Sequence, residues 1–199
     1  MTVGPAPSRG AAIEAESFRI LADRVDLSGL GPLGRAVVGR VIHASADPEY
    51  ATTMVAAEAD LAAGLAALRA GTVVVTDVEM VRRGITGVDA RCYLPPAAAA
   101  GTRSAAGMRL AAHRHPEGAV VVVGCAPTAL EEVVRLGLAG RMAPALVIGM
   151  PVGFVGAAAS KAALRASGLA AVSNVGDKGG SAVAAAALNA LVRLARSSR

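Results

Sequence analysis

The chain has 199 residues, of which 54% are hydrophobic but only 2% aromatic, with no tryptophan and a formal net charge of +5. One domain of this length can bury a substantial core, and here that core must be built from Ala, Val, Leu and Gly. So few aromatics leave no stacking platform for single-stranded nucleic acid, and a modest basic excess favours a small anionic ligand instead.

Cys92 and Cys125 lie far apart with no CxxC spacing, so neither a zinc site nor a disulfide framework is expected. The N-terminus shows no basic segment followed by an apolar one. The longest uncharged stretch, 142–160, is broken by Pro144, Gly149, Pro151, Gly153 and Gly156. It reads as strand, loop and helix start rather than a membrane span. A cytoplasmic protein is expected.

In chain order, residues 1–10 are rich in Gly, Pro and Ser and are expected to be disordered. A helix is predicted over 11–24, with Ile13, Phe18, Ile20 and Leu21 on its apolar side. Pro32 suits the first turn of a second helix reaching about Ser45. Asp47-Pro48-Glu49 then supplies a cap, a first-turn proline and an acidic residue for a third helix over about 48–69. Gly71 ends it before a short strand, 72–76. Helices at about 103–113 and 127–139 precede apolar strands at 119–123 and 145–148 respectively, in the order helix, strand, helix, strand. A weaker strand at 170–173 leads to a last helix over about 180–195. Arg193, Arg196 and Arg199 lie in the last seven residues and are expected to form a basic, frayed tail, with 196–199 beyond the domain.

Continuous β-branched runs separated by helices indicate parallel strands covered on both faces. The expected fold is a single α/β domain over 11–195, a doubly wound, mainly parallel sheet of about four to five strands. Its ligand site should lie beyond the carboxyl ends of the strands. Unusual residues gather there: Asp77 to Thr86, Gly124 to Thr128, Gly149 to Gly156 and Asn174 to Ser181. Tight turns need Gly and Pro in any case, but four such turns on one sheet edge point to a binding site.

His43 is the leading candidate for chemistry. It falls in the last helical turn, where the dipole stabilises an imidazolium, which suits a general acid. Arg40 shares its helix face, and an anionic substrate could sit between the two cations. The alternative is a partly buried histidine satisfied by a backbone carbonyl. His113 and His115 read as residues of a solvated loop. Thr102 can cap a helix opened by Arg103 and Ser104, and Arg103 can bind a carboxylate or simply lie on a capped surface helix. Lys178-Gly179-Gly180-Ser181 also opens a helix and could hold a phosphate or carboxylate, but it is not a P-loop. No GxGxxG or GxSxG pattern occurs, and Asp77 with Glu79 lacks an evident third metal ligand.

Together these segments resemble the precorrin-8X methylmutase (precorrin isomerase) family. The matching stretches are Ser17-Phe18, Arg40-Val41-Ile42-His43, Asp77-Val78-Glu79-Met80-Val81 with Gly84-Ile85-Thr86, and Thr102-Arg103-Ser104-Ala105-Ala106. Gly124 to Leu130, Gly149 to Ala158, Gly179 to Ala182 and Asn189-Ala190 complete the series, over about 10–192. The resemblance implies an isomerase that moves a methyl group from C11 to C12 of a contracted tetrapyrrole bearing several carboxylates. The product would be hydrogenobyrinate, or its cobalt analogue from cobalt-precorrin-8. It implies no external cofactor and no resident metal, and a homodimer with sites near the subunit interface. His43 matches the family's proton donor, and Ser17 and Arg40 match substrate contacts. Thr86, Arg103, Ser104 and the Lys178, Gly179, Gly180, Ser181 turn are further substrate-binding candidates.

The family usually has Asn where Cys125 stands, a basic residue where Asp177 stands, and Glu at the place of Ala159. The 88–101 segment is shorter than usual. A non-catalytic corrinoid carrier is the alternative from another class, and a generic phosphate-binding enzyme is disfavoured by the missing loops.

Overall fold

The computed structural model describes residues 8–197. In chain order they form α1 (Arg9–Arg24), α2 (Pro32–Ser45), α3 (Tyr50–Thr53), β1 (Met54–Ala56), α4 (Glu58–Arg69), β2 (Val74–Thr76), α5 (Glu79–Gly84) and β3 (Ala90–Cys92). Then follow α6 (Arg103–Arg114), β4 (Val120–Val123), α7 (Pro127–Leu138), β5 (Leu146–Gly149), α8 (Ala157–Ala166), β6 (Ala171–Asn174) and α9 (Ser181–Ser197).

The strands form one sheet in the order β1-β6-β5-β4-β2-β3, parallel except for β1, which pairs antiparallel with β6. The four valines of β4 are fully buried because helices cover both faces. One face carries α2, α4, α5 and α9, with α1 outermost against α2; the other carries α6, α7 and α8. Small residues bring these layers close. The alanine-rich face of α9 lies on the sheet so tightly that a Cβ at Gly124 would come within 2.8 Å of Ala184 Cβ. That spacing explains how a core almost free of aromatics closes.

Six strands replace the expected four or five. The third predicted helix is split: α3 ends at Thr53, Met54 turns extended, and Met54 pairs with Asn174. The edge of β6 offers unpaired backbone groups, and satisfying them outweighs the helical preference of this Ala-rich segment. The second missed strand, β3, pairs with β2 through Val74 and Ala90. Arg91, exposed between Ala90 and Cys92, leaves no apolar run to read.

The ends also differ from expectation. Arg9 and Gly10 are already helical, because the Ser8 hydroxyl accepts from Ala11 N–H and caps α1. The rest of the segment expected to be disordered lies outside the described residues. Arg193 and Arg196 belong to α9 rather than to a tail; residues 198–199 lie outside the description. No helix among the described residues is long and apolar enough to cross a membrane.

Between β2 and β4 the chain reverses its winding, which is where a doubly wound sheet ordinarily opens a crevice. Here Asp77 fills it. Its carboxylate accepts from Gly124, Cys125 and Ala126 N–H at 3.1, 2.9 and 2.9 Å. Burial raises the Asp77 pKa, against the downward pull of these donors. Asp77 is therefore a strut between two strand ends.

Candidate active site

α2 ends in a left-handed residue, Ala46, at φ 53°, which turns the chain sharply after the last helical turn. His43 sits in that turn, half-buried, with α1 packed beside it. Ser17 Oγ lies 2.7 Å from His43 Nδ1, in hydrogen-bond contact. The Phe18 ring stacks on the imidazole, centroids 5.0 Å apart and planes 3° from parallel. Arg40 places its guanidinium 4.9 Å from the Phe18 centroid. Two neighbours on α1 thus fix the position and the tilt of the imidazole. Ser17 can accept from Nδ1–H or donate to bare Nδ1, so it suits both charge states of the ring. The other nitrogen, Nε2, is the one available to a substrate.

His43 borders two cavities. The smaller, about 120 Å³, lies between α1 and the end of α2, and Ser17, Leu21, Ile42 and Pro48 help line it. The larger, about 400 Å³, lies between α2, α9 and the loop after α5; Arg40, Thr86, Asn189 and Arg193 help line it. Asn189 builds part of that wall by accepting from Thr86 N–H and donating to Gly84 O, both at 2.9 Å. Both spaces lie on the helical layer that carries α2 and α9, and Gly84, Thr86 and Ala182, which help line the larger one, come from the segments that follow β2 and β6.

Glu14 of α1 bridges the two cations of the larger cavity. Its Oε1 lies 2.6 Å from Arg40 Nη2 and 2.6 Å from Arg193 Nη1. The Arg40 guanidinium, assisted by Arg193, holds the Glu14 carboxyl below its ordinary value despite partial burial.

Of the residues singled out from sequence, the structure brings Ser17, Arg40, His43 and Thr86 to these cavities. It does not bring Arg103, Ser104 or the turn from Lys178 to Ser181 to them. Arg103 is exposed at the start of α6, on the opposite face of the sheet. Ser104 is buried beside Thr102 and Thr128, in a hydroxyl cluster that ties the starts of α6 and α7. Thr102 caps α6 as expected, accepting from Ala105 N–H. Lys178 bonds to Asp47 at 2.7 Å and to Glu49 at 2.5 Å, which raises its pKa. The β1–β6 pairing brings those acidic residues to it. Gly179 passes against the Met150 and Pro151 carbonyls at φ 157°, where a Cβ would collide with both. Beneath the turn, fully buried Lys161 donates to Asn174 Oδ1 and to the Lys178 carbonyl.

Glu14, Asn189 and Arg193 are the site residues that sequence reading did not select as such. Arg193 was assigned to a basic tail, although helical spacing from Asn189 was a usable signal. His115 is likewise not simply solvated: its Nε2 lies 2.7 Å from Tyr93 Oη. Among the described residues no group of three or more His, Cys, Asp or Glu could hold a metal ion.

Known proteins narrow the reading. The precorrin-8X methylmutase family model matches residues 12–194. A cobalt-precorrin-8 methylmutase of Methanothermobacter thermautotrophicus is 41% identical, over 98% of each chain. A precorrin-8X methylmutase of a Sinorhizobium species is 39% identical, over 92% of this chain and 94% of that protein. The crystal structure of precorrin-8X methylmutase from Thermus thermophilus superposes with a TM-score of 0.86 at 38% identity, covering 94% of this chain and 98% of that one. Methylmutases are isomerases, and a single α/β domain with a largely parallel sheet is the fold they share with this protein. By sequence, length and fold alike, the chain belongs to the precorrin-8X methylmutase family.

Proposed function

We propose that this isomerase moves a methyl group from C11 to C12 of precorrin-8X, or of its cobalt-containing counterpart, in cobalamin biosynthesis, with His43 as the proton donor. The observation that carries the assignment of the acid is the fixed imidazole: Ser17 holds Nδ1 and Phe18 stacks on the ring, so Nε2 is presented beside a cationic cavity. A proton delivered to the macrocycle makes the conjugated ring a better electron sink. The methyl group then migrates with its bonding electrons, and the proton returns to His43. Atoms and charge balance, as an isomerisation requires. General acid catalysis of this kind contributes about 10²–10⁴-fold, or about 3–5 kcal/mol of barrier.

Arg40 and Thr86 contact the substrate in this reading, and the macrocycle's carboxylates account for the cations. Whether the ring carries cobalt is a property of the substrate, and relatives named for both forms are about equally similar. A cavity of about 400 Å³ is near the lower end of the roughly 300–1,000 Å³ that encloses a drug-sized ligand. A tetrapyrrole with its side chains extends beyond it. A homodimer supports that extension: Phe154 and Val155 are 95% and 89% exposed, an apolar pair that a second copy would cover. A second copy is also the way Arg103, exposed on the far face of the sheet, or the Lys178 to Ser181 turn would reach a substrate bound at His43, whereas buried Ser104 would act by holding the start of α6. Light scattering on the purified protein measures that state directly. No nucleic acid or membrane enters this reading, and the protein is placed in the cytoplasm.

The test is His43→Ala with precorrin-8X, followed by the visible spectrum of the macrocycle. Turnover is expected to fall 10²–10⁴-fold while product binding changes little, because the substitution removes a proton donor and little contact area. Unchanged turnover overturns the mechanism.

A further inference from the structure

Among the described residues, Glu14 is the one carboxylate that meets both Arg40 and Arg193 in the larger cavity, and it uses a single oxygen to do so. Arg40 comes from α2 and Arg193 from α9, and both line the space that His43 borders. Two guanidinium groups held this close repel each other unless an anion sits between them. We propose that Arg40 and Arg193 form a clamp for one substrate carboxylate, and that Glu14 occupies the clamp until that carboxylate displaces it. This rests on the tetrapyrrole reading above and adds a binding residue, Arg193, and a gate, Glu14, to it.

The geometry makes the exchange easy. The Glu14 side chain is 31% exposed, and that of Arg193 60%, so solvent and ligand reach the bridge. None of the sixteen residues of α1 is fully buried, yet the helix need not move. A rotation of the Glu14 side chain frees both guanidinium groups. Ser17 and Phe18, on the same helix, stay on His43 throughout. An incoming carboxylate can use two oxygens where Glu14 uses one, and so engage the two arginines more fully. The placeholder also keeps two cations from capturing unrelated anions.

A purely structural bridge would tie α1 to α2 and α9 without affecting ligand affinity in the same way. The two roles separate on substitution. The two partly exposed ion pairs of Glu14, which must both break on binding, together lower apparent affinity by roughly 3–10-fold. Titrating the full chain with hydrogenobyrinate, followed by its visible spectrum, gives the dissociation constant for wild type, Glu14→Gln, Glu14→Asp and Arg193→Met. Glu14→Gln is expected to tighten binding roughly 3–10-fold. Glu14→Asp, which keeps the charge but shortens the reach by one methylene, should tighten it as well. Arg193→Met should weaken it, and the gain from Glu14→Gln should shrink when Arg193→Met is also present. Urea unfolding of each variant reports any loss of the helix contact separately.

Affinity that is unchanged or weaker in both Glu14 variants overturns the gate. An unaltered constant in Arg193→Met overturns the clamp. If wild type converts precorrin-8X and these results still occur, only this inference falls. Wild type that neither binds nor converts a tetrapyrrole overturns the function proposed above, and the clamp with it.

Discussion

Burying an ammonium group beneath the turn before α9 should leave a signature in the pH dependence of folding. Lys161 is fully buried, with Asn174 Oδ1 and the Lys178 carbonyl as acceptors. Burial pulls its pKa from 10.5 down to about 8, with Asp177 opposing and Arg165 assisting. In the unfolded chain the group titrates near its ordinary value. Between pH 8 and pH 10.5 the unfolded chain therefore keeps a proton that the native protein has released, and stability rises with pH across this window. Below it both states are protonated, and the cost of the buried charge is constant. At about 1.4 kcal/mol per pKa unit, the full swing is on the order of 3 kcal/mol. Cys92, Cys125 and Tyr50 act in the opposite direction, because burial raises their pKa values. The assay therefore compares wild type with Lys161→Met by urea unfolding at pH 7, 8, 9 and 10. Taking the difference at each pH removes the groups that both proteins share. Wild type should gain about 1 kcal/mol relative to the variant from pH 8 to pH 9, and about 2 kcal/mol by pH 10. A difference that stays flat across the series refutes the reasoning.

Two further substitutions test the supports of the site. Ser17→Ala removes the hydrogen bond to His43 Nδ1, worth about 1 kcal/mol; kcat should fall about five-fold with KM little changed, and an equal rise in KM alone would make Ser17 a binding residue. Asp77→Ala strands the N–H groups of Gly124, Cys125 and Ala126. The loss should be about 2–4 kcal/mol, seen by calorimetry as a fall in Tm of roughly 5–15 °C, whereas an unchanged Tm would show that water replaces the carboxylate.

Much of the site was legible in order along the chain. Arg40 and His43 are one helical turn apart, so their shared face follows from helix geometry alone, and Pro32 and the stop before Asp47 fix that helix. The buried strands were legible because four valines in a row have few other places to go. Lys178 was not legible. Its sequence neighbours suggest a free cation at a helix start, and only the β1–β6 pairing brings Asp47 and Glu49 onto it. The same pairing broke the third predicted helix, since long-range backbone bonds overrode a local preference.

What the sequence determined by itself is whatever depends on near neighbours and on period: the αβ alternation, the helix that carries Arg40 and His43, the glycine-rich strand ends, and a family pattern spread over the whole chain. The tertiary structure decided which of those parts meet. It filled the expected crevice with Asp77, set Ser17 and Phe18 against His43, and brought Arg193 from the far end of the chain to Glu14 near its start. Contacts of that kind are fixed by how helices dock on a sheet. No local rule of spacing encodes the distance between residues that the fold alone makes adjacent.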